Sequence, residues 1–503
     1  MEEINALFNG FAVVLTPYNM ILMVVGILLG VIIGVLPGLG GANGVAILLP
    51  LTFSMPPTSA IIMLSCLYWG ALFGGAITSI LFNIPGEPWS VATTFDGHPM
   101  AQNGKADEAL TTAFTSSFIG ALFAVIVITF LAPLVAKFAL KFGPAEFFAV
   151  QFLTFASFIG MGAGSPFKTI MAMCLGFALA AVGLDTITGQ LRMTFDFITL
   201  LKGFGFLVAV IGLFGIGEML SSMEEGLEFK GAHAKLRLDA VLRTWKQLPK
   251  YWATSLRSCL IGVWMGITPG GATPASFMSY GLARRFAKEP KTFGKGNPEG
   301  IVAPETAAHA AGTAALLPML TLGIPGSPTA AVLLGGLLIW GLQPGPLLFV
   351  EKPDFVWGLI ASMYLGNLVG LIVVLTCVPA FAAILRVPFS IVAPVIMVIC
   401  AVGAYTVNNA IFDVWLMIVF GVMGYVFGKL KYPLAPLVLA LVLGDTAESS
   451  FRQAMLASQG SLSIFWANPL VTTIMTLGVL MLLWPAISWL RGLLRRQGGS
   501  VSA

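Results

Sequence analysis

Charge is the scarcest commodity in this chain. Only 10% of its 503 residues are charged, against about a quarter in an ordinary soluble domain. So few polar side chains cannot coat a soluble core of this size, and the mean hydropathy of +0.93 agrees. Histidine occurs three times, at 98, 233 and 309, far apart and without an HExxH pair; GxSxG is absent too. Those gaps remove the usual intramembrane hydrolase designs. The five cysteines (66, 174, 259, 377, 400) lie scattered in apolar stretches with no Cys-x-x-Cys, which excludes a disulfide scaffold and a thiolate metal site. A net charge of +4 is small for the length and gives no basis for a nucleic-acid partner. The nearest approach to a phosphate loop, Phe293–Asn297 (FGKGN), lacks the following Ser or Thr, so the chain carries no ATPase of its own. Met1-Glu2-Glu3 is not a basic n-region, and the first apolar run is too long for a signal peptide. A retained first membrane helix is expected.

Apolar length is what the chain has instead. Phe118–Val135, Phe204–Ile216, Val356–Ala380 and Leu470–Leu490 approach or exceed the ~20 residues that span a bilayer. Their continuity excludes a β-barrel, whose ~10-residue strands alternate. The expected fold is an all-α polytopic membrane protein, with about 10–12 transmembrane segments of bilayer-spanning length, some of them broken.

The breaks are written in glycine and proline. GVLPGLGGANG (Gly34–Gly44) interrupts an apolar run, and GITPGGATPA (Gly266–Ala275) matches it at an offset of 232. FNIPGEPWS (Phe82–Ser90) matches LGIPGSPTA (Leu322–Ala330) at an offset of 240, both carrying Ile-Pro-Gly-x-Pro. A weaker third match, at an offset of 260, sets Asp185…Arg192 beside Asp445…Arg452. Three matches in one order divide the chain into a first membrane repeat (1–223), a basic linker (224–257), a second membrane repeat (258–490) and a polar tail (491–503). The linker, with Lys230, Lys235, Arg237, Arg243, Lys246, Lys250 and Arg257, and the loop Arg284–Lys295 should be cytoplasmic. Met1–Asn19, without Lys or Arg, favours an outside N-terminus, and Arg491, Arg495 and Arg496 favour an inside C-terminus. An outside start and an inside linker require an odd number of crossings in the first half, hence inverted repeats; an inside tail then requires an even number in the second. The two marks conflict, and inverted repeats are the preferred reading.

Irregular backbone survives at membrane depth only where it is buried or lines a watery cavity. Repeat-built transporters aim half-helix N-termini at an anionic substrate and bind coupling cations with freed carbonyls. The four breaks therefore nominate a substrate site: Pro37, Gly38, Gly40, Asn43, Asn83, Pro85, Gly86, Ser90, Thr268, Pro269, Gly270, Thr273, Pro325, Gly326, Ser327 and Thr329. Glycine lets backbone approach a ligand and proline ends a helix. Carbonyls freed at Gly38, Gly40, Gly270 and Gly271, with Asn43 and Thr273, would suit Na⁺. A proton needs a titratable group, and Glu87, Glu305 and His309 are the candidates near the breaks. Glu305 and His309 stand four apart, on one helix face. None of the three has a titratable match in the other half, which favours Na⁺ over H⁺ at a two-fold site.

GVLPGLGGANGVAILLPLTF, NIPGEPWSVATTFDGHPMAQNGKADEAL, GITPGGATPASFMSYGLARRFAK, FGKGNPEGIVAPETAAHAAG and LTLGIPGSPTAAVLLGGLLIWGLQPGPLLF resemble the large membrane subunit of the tripartite tricarboxylate transporter family. The resemblance runs from about residue 15 to residue 470. It implies a bacterial inner-membrane carrier, driven by an ion gradient. Its substrate is a tricarboxylate or other organic carboxylate, handed over by a periplasmic solute-binding protein. It also implies a small membrane subunit of about four spans. It implies no enzyme activity, and no cofactor beyond the coupling ion. One departure stands out. The family's PE-x-A-N-N-A stretch reads PETAAHA at Pro304–Ala310, with Ala308 and His309 for the paired asparagines, which puts citrate itself in doubt. The alternatives are a passive channel and the membrane subunit of a different carrier complex.

Overall fold

The computed structural model describes residues 2–36, 39–161, 165–185, 188–225, 237–268, 271–384 and 389–498. Helix dominates the described residues. Strand is confined to one antiparallel hairpin, with Gly183 opposite Arg192 and Leu184 opposite Leu191. Among the described residues seven helices are long and apolar enough to cross a membrane, including Pro17–Val35, Pro57–Phe82 and Pro353–Ile384, and shorter apolar helices accompany them. The chain is an all-α polytopic membrane protein. Proline opens Pro17–Val35, Pro57–Phe82 and Pro328–Ile339, where its missing N–H and fixed φ suit the first helical position.

Two compact units form, residues 1–140 with 205–428, and residues 141–204 with 429–503. Each draws on both sequence halves. In the larger unit the core is the Pro57–Phe82 helix, apolar along its length and buried from Ser59 to Leu81. Pro17–Val35 lies along it through a seam of small residues. A Cβ at Gly26, Gly30 or Gly34 would collide with the carbonyl of Met63, Leu67 or Ala71, and one at Gly70 would meet the carbonyl of Ile27. The second half has the same device. Trp252–Ile267 lies on the buried helix Glu299–Ala314, with Gly262 and Gly266 against the carbonyls of Ala307 and Ala311. Between lipid-facing helices no hydrophobic effect distinguishes partner from solvent, so close backbone packing of this kind drives association.

The smaller unit gathers Pro144–Met161, Pro166–Ala180, Leu434–Ala457 and Pro469–Gly498. Gly176 packs on the Leu437 carbonyl, and the rings of Phe148, Phe451 and Phe465 cluster at 5.0–5.7 Å. The two Asp…Arg stretches of the third sequence match exchange partners here. Arg452 donates to Asp185 at 2.8 Å, and Arg192 to Glu448 at 2.8 Å.

Of the basic linker, residues 226–236, with Lys230 and Lys235, lie outside the described residues. The rest is structured: Leu238–Gln247 is a helix that buries Ala240, Val241 and Thr244, and the Trp245 indole N–H donates to Thr115 Oγ at 2.9 Å.

The seam makes a testable demand. Gly30→Leu and Gly262→Leu should each destabilise the protein by overpacking, by about 1–3 kcal/mol or more. Gly281→Ala, a helical position where a Cβ meets nothing within 4 Å, should be neutral or stabilising by up to about 1 kcal/mol. Thermal unfolding of the detergent-solubilised variants checks the contrast.

Candidate functional site

Both members of the first matched pair interrupt a helix. Pro17–Val35 stops at Leu36, whose backbone is extended (φ −81°, ψ 110°). A new helix, Gly40–Leu48, starts from Gly40 at φ +59°. In the second half Trp252–Ile267 stops at Thr268 (φ −81°, ψ 142°), and Ala272–Phe286 starts after Gly271 at φ +73°. Pro37, Gly38, Pro269 and Gly270 lie outside the described residues.

The second matched pair agrees in finer detail. Pro57–Phe82 ends on Asn83 in the left-handed region (φ 58°, ψ 27°), and Leu316–Leu322 ends on Gly323 in the same region (φ 70°, ψ 24°). Each then runs through Ile-Pro-Gly to an extended residue before the next proline-led helical turn. That residue is Glu87 (φ −142°, ψ 155°) or Ser327 (φ −152°, ψ 163°). Gly86 packs on the Gly34 carbonyl, and Gly326 on the Gly266 carbonyl. Each Ile-Pro-Gly turn is thereby seated on the helix that leads into the other break of its own half.

The two residues that differ between these turns decide the electrostatics. The Glu87 carboxylate accepts the Gly41 N–H, at the start of Gly40–Leu48, where a helix end favours negative charge. Its oxygens lie in the space a Cβ on Gly40 would enter, and the φ of +59° there is what favours glycine. Ser90 Oγ donates to the Glu87 carbonyl at 2.8 Å and accepts its N–H at 3.2 Å. Ser327, buried, accepts the Ala330 N–H at 3.1 Å. Tyr68 is the joint between the halves. Its ring lies against Gly41, its hydroxyl over Gly312, and it is 2% exposed. Nearby, Ser276 Oγ donates to the Trp89 carbonyl at 2.7 Å, tying Ala272–Phe286 to the Pro88–Ser90 turn. The structure thus brings Gly40, Glu87, Ser90, Gly86, Gly326 and Ser327 into one polar region. Asn43 and Thr329 are buried on the helices beside it, Pro325 is buried in its turn, Pro85 and Thr273 are half-buried, and Asn83 is exposed.

Glu305 and His309 form a separate cluster further along Glu299–Ala314. Glu305 is 1% exposed and not a helix-end residue; Thr93 Oγ donates to one carboxylate oxygen at 2.5 Å and Ser117 Oγ to the other at 2.9 Å. His309 Nδ1 is 3.6 Å from the carboxylate, the Phe73 ring centroid is 5.0 Å from the imidazole's, and Nε2 has no hydrogen-bond partner. Ala308 is buried among Ala272, Ala275 and Ala311, with Trp89 against the cluster. The position where the family pattern has an amide therefore offers a methyl to the break region.

Sequence reasoning passed over Tyr68, Ser276 and Asp96. Tyr68 is one phenol in a greasy run, and its signal is that a buried hydroxyl needs a partner. Asp96 is fully buried. One carboxylate oxygen accepts the N–H groups of Gly294, Lys295, Gly296 and Asn297 at 2.8–3.1 Å, and the other accepts the Tyr280 hydroxyl at 2.9 Å. FGKGN is thus an anion-binding nest of successive amides, filled by the chain's own aspartate rather than by a phosphate.

Long buried helices, paired interruptions and backbone polarity aimed inward describe a membrane transport protein. The chain belongs to the tripartite tricarboxylate transporter TctA family, whose family model matches residues 20–439. It is similar over 483 residues, 95% of each chain, to an uncharacterized 52.8 kDa protein in the TAR-I ttuC' 3' region of Agrobacterium vitis, at 36% identity. It is 38% identical over 230 residues to an uncharacterized protein in the TAR-II ttuC' 3' region of the same organism, covering 45% of this chain and 95% of that one. No solved structure matches. Family membership makes the chain a component of a tricarboxylate transporter and not an enzyme, and a tripartite system has partner subunits.

Asp96→Ala should leave the loop amides unpaired, at about 1–3 kcal/mol for each one that stays buried. Limited trypsin digestion should then cut at Lys295 at least fivefold faster than in the parent protein. Unchanged cleavage would mean that the loop holds itself.

Proposed function

We propose that this chain is the translocating subunit of an ion-gradient-driven uptake system of the bacterial inner membrane. It would take a tricarboxylate or other small organic carboxylate from a periplasmic solute-binding protein and work beside the small membrane subunit of about four spans. The observation that carries the reading is the approach of the two halves at Tyr68, whose ring lies against Gly41, the residue whose N–H the Glu87 carboxylate accepts, and whose hydroxyl lies over Gly312. The substrate site proposed at the breaks comprises Gly40, Asn43, Gly86, Ser90, Thr273, Gly326, Ser327 and Thr329, together with Pro37, Gly38, Pro269 and Gly270.

The halves are proposed to be inverted repeats. Gly30 and Gly34 meet Leu67 and Ala71 as Gly262 and Gly266 meet Ala307 and Ala311, at the same offsets of 232 and 240 as the sequence matches. Within each half the paired helices run parallel. Across the halves Tyr68 lies at Gly312 and Phe73 at His309, so Pro57–Phe82 and Glu299–Ala314 run antiparallel. Two opposed copies around one site are the design from which alternating access follows, and they favour a carrier over a channel.

A multivalent anion entering against an inside-negative potential meets about 2.3 kcal/mol per charge per 100 mV, which co-transported cations must offset. Na⁺ is the first reading, with carbonyls of Gly38, Gly40, Gly270 and Gly271, side-chain oxygens of Asn43 and Thr273, and the Glu87 carboxylate as its ligands. A proton is the second. The observation in its favour is the buried Glu305–His309 pair with an unpartnered imidazole nitrogen.

Two measurements test this. Proteoliposomes holding both membrane subunits should accumulate substrate only with a Na⁺ gradient and the cognate binding protein present. Uptake at the same rate without the gradient would establish a channel, and full uptake by this chain alone would end the tripartite reading. In the same assay Glu87→Gln, which keeps an acceptor for the Gly41 N–H, should lose less than about tenfold in rate, on the order of 1.4 kcal/mol. If uptake ignores Na⁺, collapses with a protonophore and is abolished by Glu305→Gln, the proton is the coupling ion.

A further inference from the structure

The segment that joins the sequence halves has a shape of its own. Leu238–Gln247 and the start of Trp252–Ile267 present three faces. Ala240, Val241, Thr244 and Thr254 are buried against the protein. Leu238, Leu242, Trp245, Trp252 and Leu256 form an exposed apolar stripe, with relative exposures from 41% at Trp245 to 75% at Leu238. Between that stripe and the Ala106–Ala139 helix runs an apolar groove of about 430 Å³, walled by Ile119, Phe123, Trp245, Pro249, Trp252 and Leu256.

Along the stripe, apolar residues are followed directly by cations: Leu242 by Arg243, Trp245 by Lys246, Pro249 by Lys250 and Leu256 by Arg257. A basic row therefore borders the apolar row from Leu242 to Lys250 and again at Arg257, while Leu238 is followed by Asp239 and Trp252 by Ala253. Arg243 is matched by Asp239 at 3.2 Å, and Arg257 donates to Thr254 at 2.9 Å over the Phe286 ring. Arg243, Lys246 and Lys250 are all exposed. Trp and basic side chains on one amphipathic helix mark the headgroup level of a bilayer. By the positive-inside rule the basic excess assigns this end of the chain to the cytoplasmic leaflet, whose anionic lipids attract Lys and Arg.

We propose that this groove is a binding site for an anionic phospholipid, one acyl chain lying along Phe123, Trp252 and Leu256 and the headgroup phosphate held by Lys246, Lys250 and Arg243. The site has a chemical reason to prefer a lipid to its separate parts. The groove takes hydrocarbon but offers few polar partners, and the basic row attracts phosphate but has no pocket of its own. Trp245, fixed by its hydrogen bond to Thr115, stands where the two meet. A lipid seated there would brace the linker helix against Ala106–Ala139, the helix whose Ser117 grips Glu305.

The test is lipid retention by the purified full-length protein. Detergent-solubilised protein equilibrated with mixed phosphatidylglycerol–phosphatidylcholine micelles and examined by native mass spectrometry should hold phosphatidylglycerol at least fivefold over phosphatidylcholine. Millimolar inorganic phosphate should not displace it. Arg243→Gln/Lys246→Gln/Lys250→Gln, three exposed substitutions that leave the packing untouched, should abolish the preference. Ser255→Phe, which fills the groove, should reduce retention of both lipids with the basic row intact. Equal retention of the two lipids, displacement by phosphate alone, or an unchanged preference in the triple variant would overturn the proposal. So would a small membrane subunit in the purified complex that cross-links to a photoreactive residue at 255.

Discussion

The polar region at the helix breaks depends on how closely two helices can approach in a solvent that gives them no reason to. In hydrocarbon a helix pair is held by dispersion and by backbone contact, and both fall away once a side chain stands between the backbones. Gly26, Gly30 and Gly34 remove that side chain on one helix, and Gly262 and Gly266 do so on another. The register that results puts the Gly34 carbonyl under Gly86 and the Gly266 carbonyl under Gly326. Once the Ile-Pro-Gly turns are seated in this way, Glu87 comes to the amide of Gly41 and the Tyr68 hydroxyl comes to lie over Gly312. A wider spacing would leave the same residues with nothing to meet.

The larger unit treats the half-buried Glu87 and the buried Asp96 and Glu305 in one consistent way. Among the described residues, Glu87, Asp96 and Glu305 form no ion pair with lysine or arginine. They are answered by a helix-start amide, by four loop amides with a phenol, and by two hydroxyls. Fixed dipoles accomplish what cations would, and they leave no spare positive charge inside for a carboxylate ligand to seize permanently. The smaller unit follows the opposite rule, with Asp185, Arg192, Glu448 and Arg452 joined as ion pairs.

Much of the fold was legible because hydropathy and helix punctuation are local. The apolar runs, the prolines that open helices and both Ile-Pro-Gly turns could be read residue by residue, and the left-handed stop at Gly323 follows from glycine itself. What could not be read is which side chains face one another. Asn83 has the composition of a ligand but is exposed, serving as a left-handed helix stop. Asp96 and Tyr68 look unremarkable in their own helices and gain their roles from residues roughly 200 to 240 positions away, Asp96 from Gly294 and Tyr68 from Gly312. The compact units follow neither sequence half, because each is assembled from pieces of both. Periodicity within a segment carries no information about that exchange.

The Asp96 nest also sets an order of events in synthesis. The carboxylate is made first, and the amides that receive it lie 198 to 201 residues further along the chain. At roughly 5–20 residues per second, the aspartate waits on the order of ten to forty seconds for its loop. During that interval it sits near the end of a membrane segment with only water or a proton to satisfy it. The first half therefore enters the bilayer incomplete, with a polar vacancy that only the second half can close.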